Sequence, residues 1–240
     1  MGPRFEELDW RPTPFGTISL RRRHDPLLDV EVYEVKLDDD FLMSSVFTVA
    51  EVEVARLALA MLEGASLDVA VGGLGLGYTA QTVLDDPRVR SLVVIDALEP
   101  IIEWHDAGLV PVSVSGKVDQ RCRLVLGDFF AMARGDDGFD PDETGRRFDA
   151  IVVDIDHSPR HLLQPSNVDF YEADGMRRLA VRLRPGGVFS LWSNDPPDDG
   201  YLAELAQVFV DVRAEVVTFA NPLQDHDATN TVYLARNARN

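Results

Sequence analysis

The sequence predicts an α/β protein with a doubly wound, mostly parallel seven-stranded sheet and a small N-terminal β-hairpin unit. Short apolar runs alternate with helical patterns from residue 67 to residue 192, which is typical of a parallel sheet covered by helices on both faces. A glycine-rich segment follows the first of these runs, and two further strand patterns lie close together near the C-terminus. A length of 240 residues, of which 45% are apolar, suits one large domain or a core domain with a small appendage.

The first part of the sequence has the residue pattern of β-strands. Apolar and polar residues alternate over 16–20 and over 29–36, which predicts a hairpin. Apolar residues at helical spacing then predict a helix over 48–63, where Thr48 and Glu51 match a capping box.

The later segments predict the elements of the α/β domain in chain order. We place the domain boundary after residue 47, so that residues 1–47 form the β unit and residues 48–240 form the α/β domain. The predicted strands are 67–71, 91–95, 123–126, 150–153, 188–192, 214–219 and 231–235, and the predicted helices are 77–84, 99–106, 129–134, 169–183 and 201–209. The acidic, turn-rich insertion 135–147 precedes a strand, so we expect it to be a solvated loop at the amino edge of the sheet.

The composition excludes several classes of function. The net charge is −18, and a chain this acidic is a poor partner for nucleic acid but suits a cationic ligand. Excess Asp and Glu also serve solubility alone. The single cysteine, Cys122, excludes an internal disulfide and a multi-cysteine zinc site. No apolar run reaches the length of a membrane span and no secretory signal is evident, so we expect a cytoplasmic protein without a membrane partner.

The glycine-rich segment predicts a ligand site. Its glycines Gly72, Gly73, Gly75 and Gly77 follow a strand and precede a helix, where they allow a tight turn and a close approach of ligand to backbone. Asp96 ends the next strand, and a carboxylate at that position can accept hydrogen bonds from both ribose hydroxyls. Together they predict a nucleoside-containing cofactor.

Two cofactors compete for this loop. Residues 75–80 fit the dinucleotide pattern G-x-G-x-x-A, and residues 73–77 fit the G-x-G-x-G loop of S-adenosylmethionine proteins equally well. Asp128 closes the third strand, where a carboxylate can meet an adenine amino group, and the L-x-P-G-G turn over 183–187 is frequent in S-adenosylmethionine folds. We therefore favour the sulfonium cofactor.

With these motifs in this order, residues 15–235 resemble the spermidine synthase (polyamine aminopropyltransferase) family. The glycine motif of the family falls on 72–77, its ribose-binding carboxylate on Asp96, its G-D-G motif on 127–129, its catalytic D-S-S-D-P stretch near 154–159 and its F-Y-E on 170–172. The resemblance implies a methyltransferase-like fold, transfer of an aminopropyl group from decarboxylated S-adenosylmethionine to a small-molecule amine, and a homodimer.

The chain departs from the family pattern at several positions. The family has an aspartate where this chain has Gly75, and its second catalytic aspartate aligns with His157, with Asp156 one residue early. Val54-Ala55-Arg56 stands in place of the family's Tyr-His-Glu. Two alternatives therefore stay open: a methyltransferase that uses intact S-adenosylmethionine, and a non-catalytic nucleoside-binding or scaffold protein.

Asp154 is the candidate catalytic residue, since it ends an apolar strand at the edge of the sheet where ligands bind. A carboxylate there can bind an ammonium group and then accept its proton, which an amine must lose before it attacks carbon. Asp156 is a candidate for holding a second amine group, His157 for a base or substrate contact, and Trp192 for a wall of the substrate pocket. Residues 156–167 are expected to cover the site as a gate, and no metal site is expected because His157 and His161 have no evident third ligand.

Overall fold

The computed structural model describes residues 5–221 and 226–239 and contains two sheets. The N-terminal sheet is antiparallel, in the order β1-β2-β3-β4, and its strands are β1 (Phe5–Thr13), β2 (Gly16–Asp25), β3 (Val30–Leu37) and β4 (Asp40–Ser44). The predicted hairpin corresponds to β2 and β3, so this unit has four strands rather than two. Strand β1 lacks an apolar alternation and is held by pairing with β2, where Glu6 lies opposite Arg22 and forms a salt bridge with it.

The second sheet has seven strands in the order β10-β11-β9-β8-β5-β6-β7. They are β5 (Leu67–Gly72), β6 (Val89–Asp96), β7 (Cys122–Leu126), β8 (Phe148–Val153), β9 (Leu183–Ser193), β10 (Val210–Ala220) and β11 (Asp227–Arg236). Strands β5 to β9 are parallel, whereas β10 and β11 pair antiparallel at one edge. The chain winds from β5 toward β7 on one side and from β8 toward β9 on the other, so the switch point lies between β5 and β8. The predicted fold class is confirmed.

Helices lie between the strands of the second sheet. They are α1 (Val49–Ala60), α2 (Tyr78–Asp85), α3 (Glu99–Ala107), α4 (Phe129–Arg134), α5 (Ala173–Ala180) and α6 (Asp199–Ala206), with a 3-10 helix at Pro165–Tyr171 before α5. The helix predicted over 169–183 is shorter because β9 already begins at Leu183. The predicted turn over 183–187 is a bulge inside β9, which Gly186 permits with a φ of +80°. Within the described ranges no helix is both long and apolar enough to cross a membrane.

The strands of the second sheet are buried on both faces. Val69 and Val71 of β5 belong to a core that includes α1, α2, α3 and the inner face of the N-terminal sheet. Ala70, between them, belongs to a second core built around α4, α5 and α6. This division follows from the alternation of side chains along a strand.

The acidic insertion over 135–147 differs from the expected solvated loop. Phe139 is fully buried, and its ring stacks on Phe129 with centroids 4.7 Å apart. Asp140 is also buried and accepts hydrogen bonds from Arg123 at 2.9 Å and from Arg146 at 2.7 Å. The Phe139 ring and the two ion pairs of Asp140 therefore attach this segment to the rest of the domain, although its acidic composition alone predicts a solvent-exposed loop.

Candidate active site

A cavity of about 270 Å³ lies at the carboxyl ends of the central parallel strands. It stands at the switch point of the sheet, which is where open α/β sheets bind their ligands. Residues 73–75 of the glycine loop and Asp96 line one side, Asp154 and Trp192 line the other, and the N-terminal sheet and the segment over 163–167 enclose it. Gly72 and Gly77, which were also predicted to bind the cofactor, do not line it.

The glycine loop has a backbone that other residues would not adopt. The φ angles of Gly73, Gly75 and Gly77 are +93°, +48° and +93°, in the region that favours glycine. A Cβ on Gly73 would lie 2.0 Å from the carbonyl oxygen of Asp154, and a Cβ on Gly72 would lie 2.7 Å from the ring of Phe129. The loop therefore packs directly against the residues that follow β8 and β7.

Two side chains that the sequence did not identify hold this loop. His105 of α3 is buried; its Nε2 lies 2.9 Å from the carbonyl oxygen of Gly75, and its Nδ1 accepts from the amide of Val114 at 3.1 Å. Burial lowers the pKa of His105, so the ring is neutral and Nε2 donates its hydrogen. Met43 of β4 accepts a hydrogen bond at Sδ from the amide of Leu76 at 2.9 Å. The N-terminal sheet thus closes directly onto the glycine loop.

Asp96 and Asp128, the predicted cofactor carboxylates, both line the cavity. Asp96 accepts from the amides of Leu74 at 2.9 Å and of Leu98 at 2.8 Å, and burial raises its pKa. Asp128 is exposed and caps α4 by accepting from the amides of Phe130 and Ala131 at 2.9 and 3.1 Å. A carboxylate oxygen has more than one acceptor site, so both remain able to bind a ligand while they hold the backbone.

Asp154 lies in the cavity beside a second carboxylate, Glu51 of α1. The hydroxyl of Thr79 donates to Asp154 Oδ2 at 2.8 Å and lies 3.1 Å from the backbone carbonyl oxygen of Glu51. Burial raises the pKa of Asp154 to about 6, against the opposing effect of the Thr79 hydrogen bond. Burial and then the negative charge of Asp154 raise the pKa of Glu51 to about 8.

Glu51 is the site residue that the sequence misassigned. The pattern Thr48 to Glu51 predicts a capping box, but the Thr48 side chain makes no capping hydrogen bond and Glu51 faces the cavity instead. The sequence pattern of α1 is the same whether Glu51 caps the helix or faces a site. Only the packing of α1 near the end of β8 distinguishes these two roles.

The cavity is acidic. Its lining contains the four carboxylates of Glu51, Asp96, Asp128 and Asp154, and neither Lys nor Arg occurs among the described residues that line it. Such a lining attracts cations and opposes a ligand carboxylate. Across the described part of the chain, no group of three or more His, Cys, Asp and Glu side chains is arranged to hold a metal ion.

The structure separates the three predicted substrate residues. His157 and Trp192 line the cavity, and both are half-buried. Asp156 is buried with 1% of its surface exposed and does not line it. Its oxygens accept from the amide of Leu163 at 2.7 Å and from the hydroxyl of Tyr171 at 2.8 Å. The placement of Asp156 therefore corrects its assignment as a substrate contact, because the local turn directs this carboxylate into the protein.

Residues 156–167, the expected gate, contribute Leu163, Gln164 and Ser166 to the cavity wall. Besides Asp156, this segment is held by Asp195, which accepts from Ser158 Oγ at 2.6 Å and lies 2.7 Å from His161 Nδ1. These contacts join the segment to the end of β9.

Comparison with known proteins establishes the fold. No family model matches the sequence. The structure is similar to spermidine synthase from Thermotoga maritima, with a TM-score of 0.72 and 17% identity over 98% of this chain and 74% of that chain. A spermidine synthase in complex with the transition-state analogue AdoDATO gives a TM-score of 0.71 and 16% identity over 98% and 73%. Human methyltransferase-like protein 13 in complex with SAH gives 0.57 and 19% over 77% and 81%. The likeness of fold inferred from the motifs is therefore confirmed.

Proposed function

We propose that this chain is an enzyme that transfers an aminopropyl group from decarboxylated S-adenosylmethionine to an amine. One observation supports this choice above the others: the cavity beside the glycine loop contains the Glu51–Asp154 pair, and no Lys or Arg stands among its described lining residues. The decarboxylated donor has a sulfonium and an ammonium group, which both fit an acidic cavity. The carboxylate of intact S-adenosylmethionine would meet repulsion there.

The residues present fit the nucleoside part of this donor. Positive φ angles at Gly73 and Gly75 let the loop backbone approach a ligand closely. Asp96 would accept from the ribose hydroxyls and Asp128 from the adenine amino group, since both carboxylates line the cavity. The rings of Phe129 and Phe130 supply an apolar wall on the same side.

Asp154 is the proposed general base. The transfer forms an N–C bond and breaks a C–S bond, whose electron pair neutralises the sulfonium and leaves methylthioadenosine. The attacking amine must first lose a proton, and Asp154 is the carboxylate at the end of β8 that accepts it. Its pKa of about 6 leaves it ionised at neutral pH yet more basic than an exposed aspartate.

Glu51 is proposed to bind the ammonium of the donor. The family pattern has an aspartate at the position of Gly75, and here Met43 Sδ lies 2.7 Å from where a Cβ on Gly75 would stand. In this chain the carboxylate of Glu51 on α1 therefore takes the role that the family pattern gives to the loop aspartate. Since the pKa of Glu51 is raised to about 8, binding of a cation at neutral pH should release a proton.

A second candidate function is methyl transfer from intact S-adenosylmethionine. The observation that favours it is the absence of a side-chain carboxylate at Gly75, because the loop then lacks a group that would repel the carboxylate of intact S-adenosylmethionine. The Glu51–Asp154 pair disfavours a non-catalytic scaffold. Burial raises the pKa of both carboxylates, and such a buried pair destabilises the fold unless a cationic ligand compensates its charge.

The experiment that tests the proposal identifies the co-product. The full chain is incubated with an amine mixture and either decarboxylated or intact S-adenosylmethionine. We expect methylthioadenosine from the decarboxylated donor, and its formation should be at least about a hundredfold slower when Asp154→Asn is used. Formation of S-adenosylhomocysteine from the intact donor, without methylthioadenosine from the other, would overturn the proposal in favour of methyl transfer.

A further inference from the structure

Two threonines of α2 use their hydroxyl groups differently. Thr82 donates to the carbonyl oxygen of Tyr78, four residues earlier in the same helix, at 2.8 Å, which is an ordinary contact of a helical threonine. The corresponding carbonyl for Thr79 is that of Gly75, and it meets His105 Nε2 at 2.9 Å instead. The buried side chain of Thr79 is directed out of its helix, between α1 and the end of β8.

The Thr79 hydroxyl has one hydrogen and two acceptors within reach. Asp154 Oδ2 lies 2.8 Å from Thr79 Oγ1, and the backbone carbonyl oxygen of Glu51 lies 3.1 Å from it. An ionised carboxylate is a stronger acceptor than a backbone carbonyl. The hydrogen therefore goes to Asp154 while Asp154 is ionised, and a buried donor fixes the position of Oδ2.

The backbone of Asp154 is fixed as well. Its amide donates to the carbonyl oxygen of Gly72 at 2.9 Å, and its own carbonyl oxygen lies 2.0 Å from where a Cβ on Gly73 would stand. The second side-chain oxygen, Oδ1, makes no hydrogen bond with the residues that the structure describes, although Asp154 lines the cavity. The backbone and Oδ2 are thus held, and Oδ1 is left for a ligand.

Several titratable side chains share the cavity with Asp154. They come from α1, from α2 and from the ends of β6, β7 and β8, and they are Glu51, Tyr78, Asp96, Asp128 and His157. The residues of the N-terminal sheet and of β9 that line the cavity in the described chain are uncharged. Burial raises the pKa of Asp154 to about 6, and the hydrogen bond from Thr79 opposes this rise.

We propose that Thr79 is the positioning residue of the base: its hydroxyl holds Oδ2 of Asp154, so that Oδ1 accepts the proton of the attacking amine. After the transfer the proton is on Oδ1, and Oδ2 still accepts the Thr79 hydrogen, so the carboxyl group keeps its orientation throughout the reaction. The hydrogen bond is stronger to the charged carboxylate than to the neutral acid, so it also keeps Asp154 ionised at lower pH. The role in catalysis rests on the proposed function, whereas the contact between Thr79 and Asp154 does not.

A titration tests this contact without any substrate. The full chain carries carbon-13 in its aspartate carboxyl groups and Glu51→Gln, which resembles the protonated form of Glu51 and leaves one member of the pair to titrate. Asp154→Asn identifies the signal of Asp154. Adding Thr79→Val, which has nearly the same shape without the hydroxyl, should raise the midpoint of Asp154 by about one pH unit. Thr79→Ser should leave it nearly unchanged.

A midpoint that does not rise in Thr79→Val overturns the inference, as does an equal rise in Thr79→Ser. Thr79→Ala also removes the hydroxyl and replaces the valine variant if that variant does not fold. The same rise is expected for it.

Kinetics then test the role in catalysis. Methylthioadenosine release is measured against pH with the amine that reacts fastest in the co-product experiment and with Glu51 intact. Because the base must be ionised, kcat/KM of Thr79→Val should be about tenfold below that of the unaltered chain under acidic conditions, and the deficit should disappear at about pH 8. Thr79→Ser should restore the profile, and Thr82→Val, on the same helix, should not change it.

The pH dependence separates positioning from a general loss of structure. A deficit of the same size at every pH in Thr79→Val overturns the inference, because a merely structural defect lowers the rate throughout. No release of methylthioadenosine by the unaltered chain overturns the proposed function, whereas the carboxyl titration still decides whether Thr79 holds Asp154.

Discussion

At the residue scale, the proposed chemistry depends on Glu51 and Asp154, two neighbouring carboxylates whose pKa values are both raised. The pKa of Asp154 is raised to about 6 and that of Glu51 to about 8, in both cases first because burial disfavours the charged form. At neutral pH the pair therefore holds about one proton between its two carboxylates. A cationic ligand would displace this proton and restore two negative charges.

The first prediction concerns the base. Asp154→Asn should lower kcat by about 10²–10⁴-fold, because the amide cannot accept the amine proton. Binding of methylthioadenosine, which has no amine at the reacting end, should be nearly unchanged by calorimetry. Asp174→Asn, at an exposed position in α5, is the control and should keep full activity. Undiminished turnover in Asp154→Asn would rule out Asp154 as the base.

The second prediction concerns pH and stability. The folded-state pKa of Glu51 lies above its ordinary value, so the folded chain binds more protons than the unfolded chain between about pH 4.5 and pH 8. The free energy of unfolding should therefore decrease with rising pH over this window because of Glu51. In Glu51→Gln that contribution disappears, so urea titrations should show the variant gaining stability relative to the unaltered chain from pH 5 to about pH 9. Glu53→Gln, on the same helix, should show no such trend.

At the scale of elements, the glycine loop illustrates how much of the site the sequence could predict. A dense run of glycines after an apolar strand indicates one local backbone, and the structure has that backbone at Gly73, Gly75 and Gly77. Asp96, Asp128 and Asp154 were predictable for the same reason, since each lies at the end of a recognisable parallel strand or within two residues after it. Such residues are located by the local chain.

Other residues of the site depend on packing between distant elements, which leaves no local pattern. Glu51 reaches the cavity only because α1 lies against the end of β8, and His105 meets Gly75 across 30 positions of sequence. Asp156 shows the reverse case. Its position after β8 predicts a cavity residue, but a turn that places the amide of Leu163 within 2.7 Å directs it inward.

The third prediction tests the loop. Gly73→Ala combines a positive φ with a contact of 2.0 Å to the carbonyl oxygen of Asp154. It should lower the free energy of unfolding by at least about 4 kcal/mol. Gly64→Ala is the matched control, because Gly64 has a φ of +107° but nothing within 4 Å of the added carbon. The control should lose only about 1–3 kcal/mol. Equal losses in urea denaturation would show that the close approach of Asp154 is unimportant.

At the scale of the whole molecule, a buried ion-pair cluster and the cavity lie at opposite edges of the sheet. At the amino edge, Asp68 of β5 is fully buried and accepts hydrogen bonds from Ser91 at 2.9 Å, Arg146 at 3.1 Å and Arg184 at 2.7 Å, and also from Arg90. Burial alone would raise the pKa of Asp68, but these hydrogen bonds together lower it well below its usual range. The cavity lies at the carboxyl edge, so the two regions should respond independently to mutation.

The fourth prediction follows from this separation. Asp68→Asn leaves several arginines without their common partner and should lower the free energy of unfolding by about 3–5 kcal/mol. Asp174→Asn, which removes only an exposed ion pair with Arg177, should cost less than about 1 kcal/mol. Affinity for methylthioadenosine, measured below the unfolding transition, should be the same in both variants. A loss of affinity in Asp68→Asn would contradict the independence of the two edges.

The structure divides the acidic residues of the chain into those that pair with arginines and those that line the cavity. Of the acidic residues behind the net charge of −18, Asp140 and Asp68 are paired with arginines in the fold, far from the cavity. Glu51, Asp96, Asp128 and Asp154 line the cavity without a Lys or Arg among the described lining residues. The local arrangement of these four, rather than the total, supports a cationic ligand.

Calorimetry on the full chain can measure whether this acidic cavity selects a donor without a carboxylate. Decarboxylated and intact S-adenosylmethionine are titrated separately at pH 7.5 in buffers of different ionisation enthalpy. We predict that the decarboxylated form binds at least about tenfold more tightly and releases a proton on binding, because its ammonium displaces the proton held by Glu51 and Asp154. Tighter binding of intact S-adenosylmethionine would show that the cavity does not select against a carboxylate.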